Sequence, residues 1–179
     1  MNTWLETYPT LIGVRLNMVV NGLGEFTDEN GSSRGISNEL DRKLIGHLRR
    51  ISDVVVTGGN TARSEQYTVP SSCSLAVISR SFELDGERFM RLPDPKVALA
   101  TLKNQGFNRI LLETGPTLSK FFLGTQAVDE FCLTVAGGDL KVATETVSGW
   151  ASNLELASTI ELEGTLFTRW RRGNSYPHH

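Results

Sequence analysis

Apolar positions along the chain gather into short runs, each closed by a polar or glycine-bearing turn. Within Leu11–Val20, the residues Val14, Leu16, Met18 and Val20 share one face, which predicts a first strand stopped at Asn21-Gly22. Asp53–Val56 closes on Thr57-Gly58-Gly59, Leu75–Ile78 on Ser79-Arg80-Ser81, and Ile110–Leu112 on Glu113-Thr114-Gly115-Pro116. Continuous apolar runs of this kind suit strands that are covered on both faces.

Helical spacing separates these runs. A polar loop, Gly24 to Gly35, leads to a helix expected to begin near Ser37, with Glu39 in the first turn where the helix dipole favours an acid. Leu40, Leu44, Leu48 and Ile51 then recur at helical intervals. Asp94-Pro95 couples an N-cap to a proline at the first helical position, and Gly106 stands past the helix end. Gly115-Pro116 opens a further helix carrying Leu118, Phe121 and Phe122. Later the pattern changes: Phe131, Leu133 and Val135 alternate, as do Leu154 with Leu156, Ile160 with Leu162, and Leu166 with Trp170. Glu163-Gly164 between the last runs predicts an antiparallel hairpin. The whole pattern is that of an α/β chain with a mixed, mostly parallel sheet, flanked by helices and carrying antiparallel strands at one edge.

The length, 179 residues, fits one domain over residues 1–172, at roughly 150 residues per domain. Gly173–His179 reads as a polar tail whose His178-His179 end is tag-derived. Eighteen Lys and Arg against twenty Asp and Glu give a net charge of −2, no footprint for nucleic acid or an anionic membrane. No apolar run approaches the ~20 residues of a spanning helix. The first ten residues show no basic segment followed by an apolar stretch, so a cytoplasmic protein is expected. Cys73 and Cys132 lie far apart and make no metal-ligand spacing, and no Ser/His/Asp or Cys/His constellation stands out.

The candidate chemistry lies in the turns, because ligands of open α/β sheets sit at the carboxyl ends of parallel strands. At Glu113–Leu118, glycine permits close backbone approach and a helix N-terminus offers free N–H groups to a phosphate. The same residues also suit an ordinary strand-to-helix turn. Thr57–Arg63 is a second glycine turn, without the Gly-Lys-Ser/Thr ending of a P-loop or the third glycine of a dinucleotide fingerprint. Ser79-Arg80-Ser81 sets a guanidinium and two hydroxyls at a strand end, either as a solvated loop or as a hold on a ribose 2′-phosphate, which would select NADPH over NADH. Arg42, Gly46 and Arg49 share one helix face, either solvated or open to an anion. His47, without a carboxylate or nucleophile beside it, reads as a packing histidine.

Taken in order, Asn21-Gly22 through Gly31–Ser37, Asp41-Arg42, His47–Arg49, Asp53–Glu65, Glu113–Leu118 and Val128–Phe131 resemble the riboflavin-biosynthesis pyrimidine reductase domain in its stand-alone form. The resemblance implies a dihydrofolate-reductase-like fold and a homodimer. It also implies NADPH-dependent reduction of 5-amino-6-(5-phosphoribosylamino)uracil, a small phosphorylated pyrimidine. Carried over, Gly58, Gly59 and Thr61 would contact NADPH, Ser79 and Arg80 its adenosine ribose phosphate, and Thr114, Gly115, Pro116, Thr117 and Leu118 its pyrophosphate. Ser33, Arg42 and Arg63 would face the substrate, with Asn21 and Glu113 as the catalytic pair. The chain carries Val20-Asn21-Gly22-Leu23 where that family has Ser-Leu-Asp-Gly, so an amide stands in place of the aspartate. A dihydrofolate reductase-like enzyme and a nucleotide-binding paralogue without catalysis are the alternatives.

Overall fold

The computed structural model describes residues 3–29 and 31–173. Of the expected tail only Gly173 is included, and its His178-His179 end lies outside the described residues. The chain builds β1 (Gly13–Asn21), α1 (Glu39–Arg50), β2 (Val54–Gly58), α2 (Gly59–Ser64), β3 (Ser74–Ile78) and β4 (Phe89–Leu92). It continues with α3 (Pro95–Asn104), β5 (Arg109–Leu112), α4 (Pro116–Gly124), β6 (Glu130–Ala136), α5 (Leu140–Ser148), β7 (Leu154–Leu162) and β8 (Thr165–Arg172). The strands form one eight-stranded sheet in the order β4-β3-β2-β5-β1-β6-β8-β7. Neighbours from β4 to β6 are parallel, and β8 and β7 add antiparallel.

Burial explains the order. Every residue of β2 is buried, as are all but the first of β3 and β5, because helices cover both faces. On one face Val14, Leu16, Met18 and Val20 of β1 pack with Ala98 and Leu102 of α3, Phe122 and Leu123 of α4, and Ala143 and Val147 of α5. On the other, Leu44 and Leu48 of α1 and Ala62 of α2 cover Val55, Leu75, Val77 and Leu111.

Local signals set the ends. Helix α3 starts where expected, Asp94 accepting from the Lys96 N–H at 2.9 Å, and Gly106 beyond its end has φ +91°. Glu163 and Gly164 both have positive φ, 49° and 71°, which is the mirror-image two-residue turn that a twisted hairpin requires. Strand β1 begins two residues later than the apolar run suggested. The N-cap of α1 is Asn38 rather than Ser37: Asn38 Oδ1 accepts from the Asp41 N–H at 2.9 Å, while the Ser37 hydroxyl bonds the Asp41 side chain. Three elements have no counterpart in the expected pattern: the short edge strand β4, helix α5, and helix α2, which occupies the segment read as a glycine turn.

Candidate functional site

A cleft of about 870 Å³ opens beyond the carboxyl ends of the central strands, against α1. Its base is Glu113, the first residue after β5, 8% exposed. Glu113 sits there because β5 is short and flanked by β1 and β2, and its N–H is still bonded to the Val56 carbonyl. Arg49, in the last turn of α1, donates from Nε to Oε1 at 2.9 Å and from Nη2 to Oε2 at 2.5 Å. The Tyr67 hydroxyl donates to the same Oε2 at 2.6 Å, and the Arg49 guanidinium lies over the Tyr67 ring. Burial opposes the charge on Arg49, but the carboxylate outweighs it and raises the Arg49 pKa above its usual value. Burial and the same carboxylate push the Tyr67 phenol well up, so it remains a donor.

The glycine turns meet beside Glu113. A Cβ on Gly115 would come 3.1 Å from Thr61 Oγ1, one on Gly58 would come 2.9 Å from Leu118 Cδ1, and one on Gly59 would come 2.7 Å from Ser79 Oγ. The strand ends of β2, β3 and β5 therefore converge, and glycine is what allows them to approach so closely. Helix α4 begins at Gly115 with no side chain capping it, which leaves its first N–H groups open to a ligand.

The opposite wall is the loop ahead of α1. Buried Glu65 accepts from the Ser32 and Ser33 hydroxyls at 2.9 and 3.2 Å and from the Ser33 N–H at 3.0 Å, and its Oε2 pairs with Arg34 at 2.9 Å. This pins the loop over the cleft with Ser33 and Arg34 on its rim. The floor is polar. Asn17 of β1 and Asp41 of α1 line it, buried at 6% and 0% exposure. Burial raises the Asp41 pKa, with Glu113 adding to the effect and Ser37, Thr134 and Arg42 opposing it.

Of the residues singled out in the sequence, Glu113, Thr61, Thr114, Gly115, Pro116, Ser33 and Arg42 line this cleft. Gly58, Gly59, Ser79 and Leu118 support its wall from behind, in contact with one another or with the lining. Thr117 is exposed on the first turn of α4, and Arg80 is exposed just past β3 with no ion pair among the described residues. Arg63 points along α2 to Asn60 Oδ1 at 3.0 Å, outside the lining. Asn21 is also outside it: its Oδ1 accepts from the Leu23 and Glu25 N–H groups and its amide donates to Glu25, so the side chain closes the turn after β1. His47 bonds the Tyr8 carbonyl at 3.0 Å and packs the N-terminal segment. Asn17, Asp41, Arg34 and Tyr67 carried no role in the sequence reading. A polar residue amid the apolar β1 run and another on the α1 core stripe were the available signals for the first two.

A model of the RibD C-terminal domain matches residues 14–140. Comparison with curated proteins returns no match. Among solved structures, a pyrimidine reductase-like protein from Corynebacterium diphtheriae superposes with a TM-score of 0.70 at 18% identity, covering 90% of this chain and 92% of that one. A deaminase/5-amino-6-(5-phosphoribosylamino)uracil reductase from Thermotoga maritima gives 0.65 at 15% identity, covering 90% of this chain and 56% of its own. RibD of Acinetobacter baumannii gives 0.67 at 20% identity, covering 90% and 58%. These likenesses show a shared fold: the mixed eight-stranded sheet with its antiparallel C-terminal pair. Among the described residues no helix is long and apolar enough to cross a membrane, and no group of His, Cys, Asp and Glu could hold a metal ion.

Proposed function

Since the chain belongs to the RibD C-terminal domain family, we propose that it is an NADPH-dependent reductase of a phosphoribosylaminopyrimidine, working in the cytoplasm. The observation that carries the reading is Glu113, a buried carboxylate clamped by Arg49 and Tyr67 beside the uncapped start of α4.

The glycine turns and α4 suit the cofactor. The open N–H groups of Thr117 and Leu118 take the pyrophosphate, and exposed Arg80 with Ser79 takes the adenosine ribose phosphate. Bound NADPH supplies the hydride. Ser33 and Arg42, across the cleft, take the substrate's sugar phosphate. Both Glu113 oxygens already accept hydrogen bonds, so this carboxylate is a poor proton shuttle. Its role is electrostatic: its negative charge favours the protonated, ring-opened iminium, which must form from the ribosylamine before C1′ can accept hydride. Asn21 contributes by shaping the turn after β1. The outer edge of β7, the last strand of the sheet, supplies the homodimer surface.

NADPH oxidation followed by absorbance, with 5-amino-6-(5-phosphoribosylamino)uracil as substrate, tests the reading. Turnover dependent on both compounds is expected. Tight NADPH binding without turnover would leave a binding protein and overturn it. Arg80→Ala is expected to remove most of the preference for NADPH over NADH in fluorescence titrations, and equal binding of both cofactors by the unaltered chain would end that role.

A further inference from the structure

Three buried side-chain atoms among the described residues have no hydrogen-bond partner: Asn17 Oδ1, Asp41 Oδ1 and Thr134 Oγ1. They belong to one place. Asn17 pairs with Cys132 across β1 and β6 and Val19 with Thr134, so Asn17 and Thr134 share the sheet face that α1 covers. Asp41 is buried on the side of α1 that faces that sheet face, in register with Leu44 and Leu48. Asn17 and Asp41 both line the cleft. An unpartnered buried polar atom is costly, so two of them in the lining of a cleft, with Thr134 on the same sheet face, mark groups kept for something that enters it.

We infer that Asn17 and Asp41 receive the planar amide edge of the substrate's heterocycle, a ring C=O beside a ring N–H. The inference rests on the pyrimidine-reductase reading. A carboxamide offers an acceptor and two donors in one plane, the complement of such an edge. The pair lines the same cleft as Ser33 and Arg42, and Asn17 stands next to Glu113 in the β1–β5 register. Recognition here would discriminate strongly, because a ligand without the ring N–H leaves the same buried groups unpaired.

Binding of two probes to the full chain separates this role from its neighbours. 5-Amino-6-(5-phosphoribitylamino)uracil carries ring and sugar phosphate, and ribitol 5-phosphate carries the sugar phosphate alone. Asn17→Leu, which keeps the branch at Cγ and the number of side-chain heavy atoms, is expected to weaken the uracil compound at least tenfold and to leave ribitol 5-phosphate and NADPH unchanged. Asp41→Asn, which keeps a donor and an acceptor, is expected to lose less than Asp41→Leu. Thermal melting checks the fold of each variant, and Asn17→Ser replaces Asn17→Leu if the latter does not fold. A loss shared by ribitol 5-phosphate, a loss falling on NADPH, or no loss at all would overturn the inference while the reductase reading stands. Failure of the unaltered chain to bind the uracil compound would remove both.

Discussion

Glu113 is the residue on which the chemistry turns, and its surroundings make its role specific. With both oxygens engaged by Arg49 and Tyr67, it holds charge in place rather than passing a proton. Glu113→Gln should therefore lower kcat by about 100-fold or more and change KM little, as steady-state NADPH oxidation would show. Asp41 makes a different prediction. Its pKa is raised by burial and by Glu113, against Ser37, Thr134 and Arg42, so folding favours the neutral acid relative to the unfolded chain. A group raised in this way supports the fold fully below its ordinary value of 3.8 and loses that support as pH rises through the folded value. Asp41→Asn, which does not ionise, should melt higher than the unaltered free chain near pH 7. The two should converge as pH falls toward 4. A melting difference independent of pH would contradict this account of Asp41.

At the level of elements, the cleft depends on how closely three strand ends approach. A methyl on Gly59 would meet both Ser79 Oγ and Cβ, at 2.7 and 2.8 Å. Ser79 Oγ in turn accepts from the Ser81 and Phe82 N–H groups, so the loop after β3 would have to move. Gly59→Ala should destabilise by about 1–3 kcal/mol and weaken NADPH more than the pyrimidine, as denaturant melts and paired titrations would show. These turns were legible in the sequence because buried parallel strands leave continuous apolar runs and their ends carry glycine. The hairpin at Glu163-Gly164 and the cap at Asp94 were legible for equally local reasons. Strand β4 was not: it has four residues, and only Leu92 is buried. Helix α5 buries only Ala143 and Val147, too thin a stripe to stand out. The pairing of Arg49 with Glu113 spans 64 residues and depends on the sheet order, which no local pattern carries. Asn17 and Asp41 are not legible in this way, because each is a polar residue inside an element identified by its apolar positions.

Across the whole molecule, the end of the sheet opposite the cleft is held by charge. Glu130, the first residue of β6 and wholly buried, accepts from Arg15 at 2.7 Å, Arg169 at 2.7 Å and Arg171 at 2.6 Å. Arg15 and Arg169 also bond the Pro9 and Thr7 carbonyls, which fastens the N-terminal segment. Burial alone would raise the Glu130 pKa, but the three arginines overcome it and hold it at about 2. A depressed carboxyl stabilises above its ordinary value of 4.5, and that support is lost as pH falls toward 2, so acid unfolding should begin here. Glu130→Gln should cost about 3–5 kcal/mol at neutral pH and flatten the acid limb of the stability curve. Its ligand affinities should change little, because Glu130 does not line the cleft.

The central claim, hydride delivery to a sugar carbon held over Glu113, is tested most directly by isotope transfer. The unaltered chain is incubated with NADPH carrying deuterium at both C4 positions of the nicotinamide and with 5-amino-6-(5-phosphoribosylamino)uracil, and the product is analysed by mass spectrometry and NMR. One deuterium at the ribityl C1′, formed far more slowly by Glu113→Gln, is the predicted result. An unlabelled or absent product, with both compounds shown to bind, would contradict it.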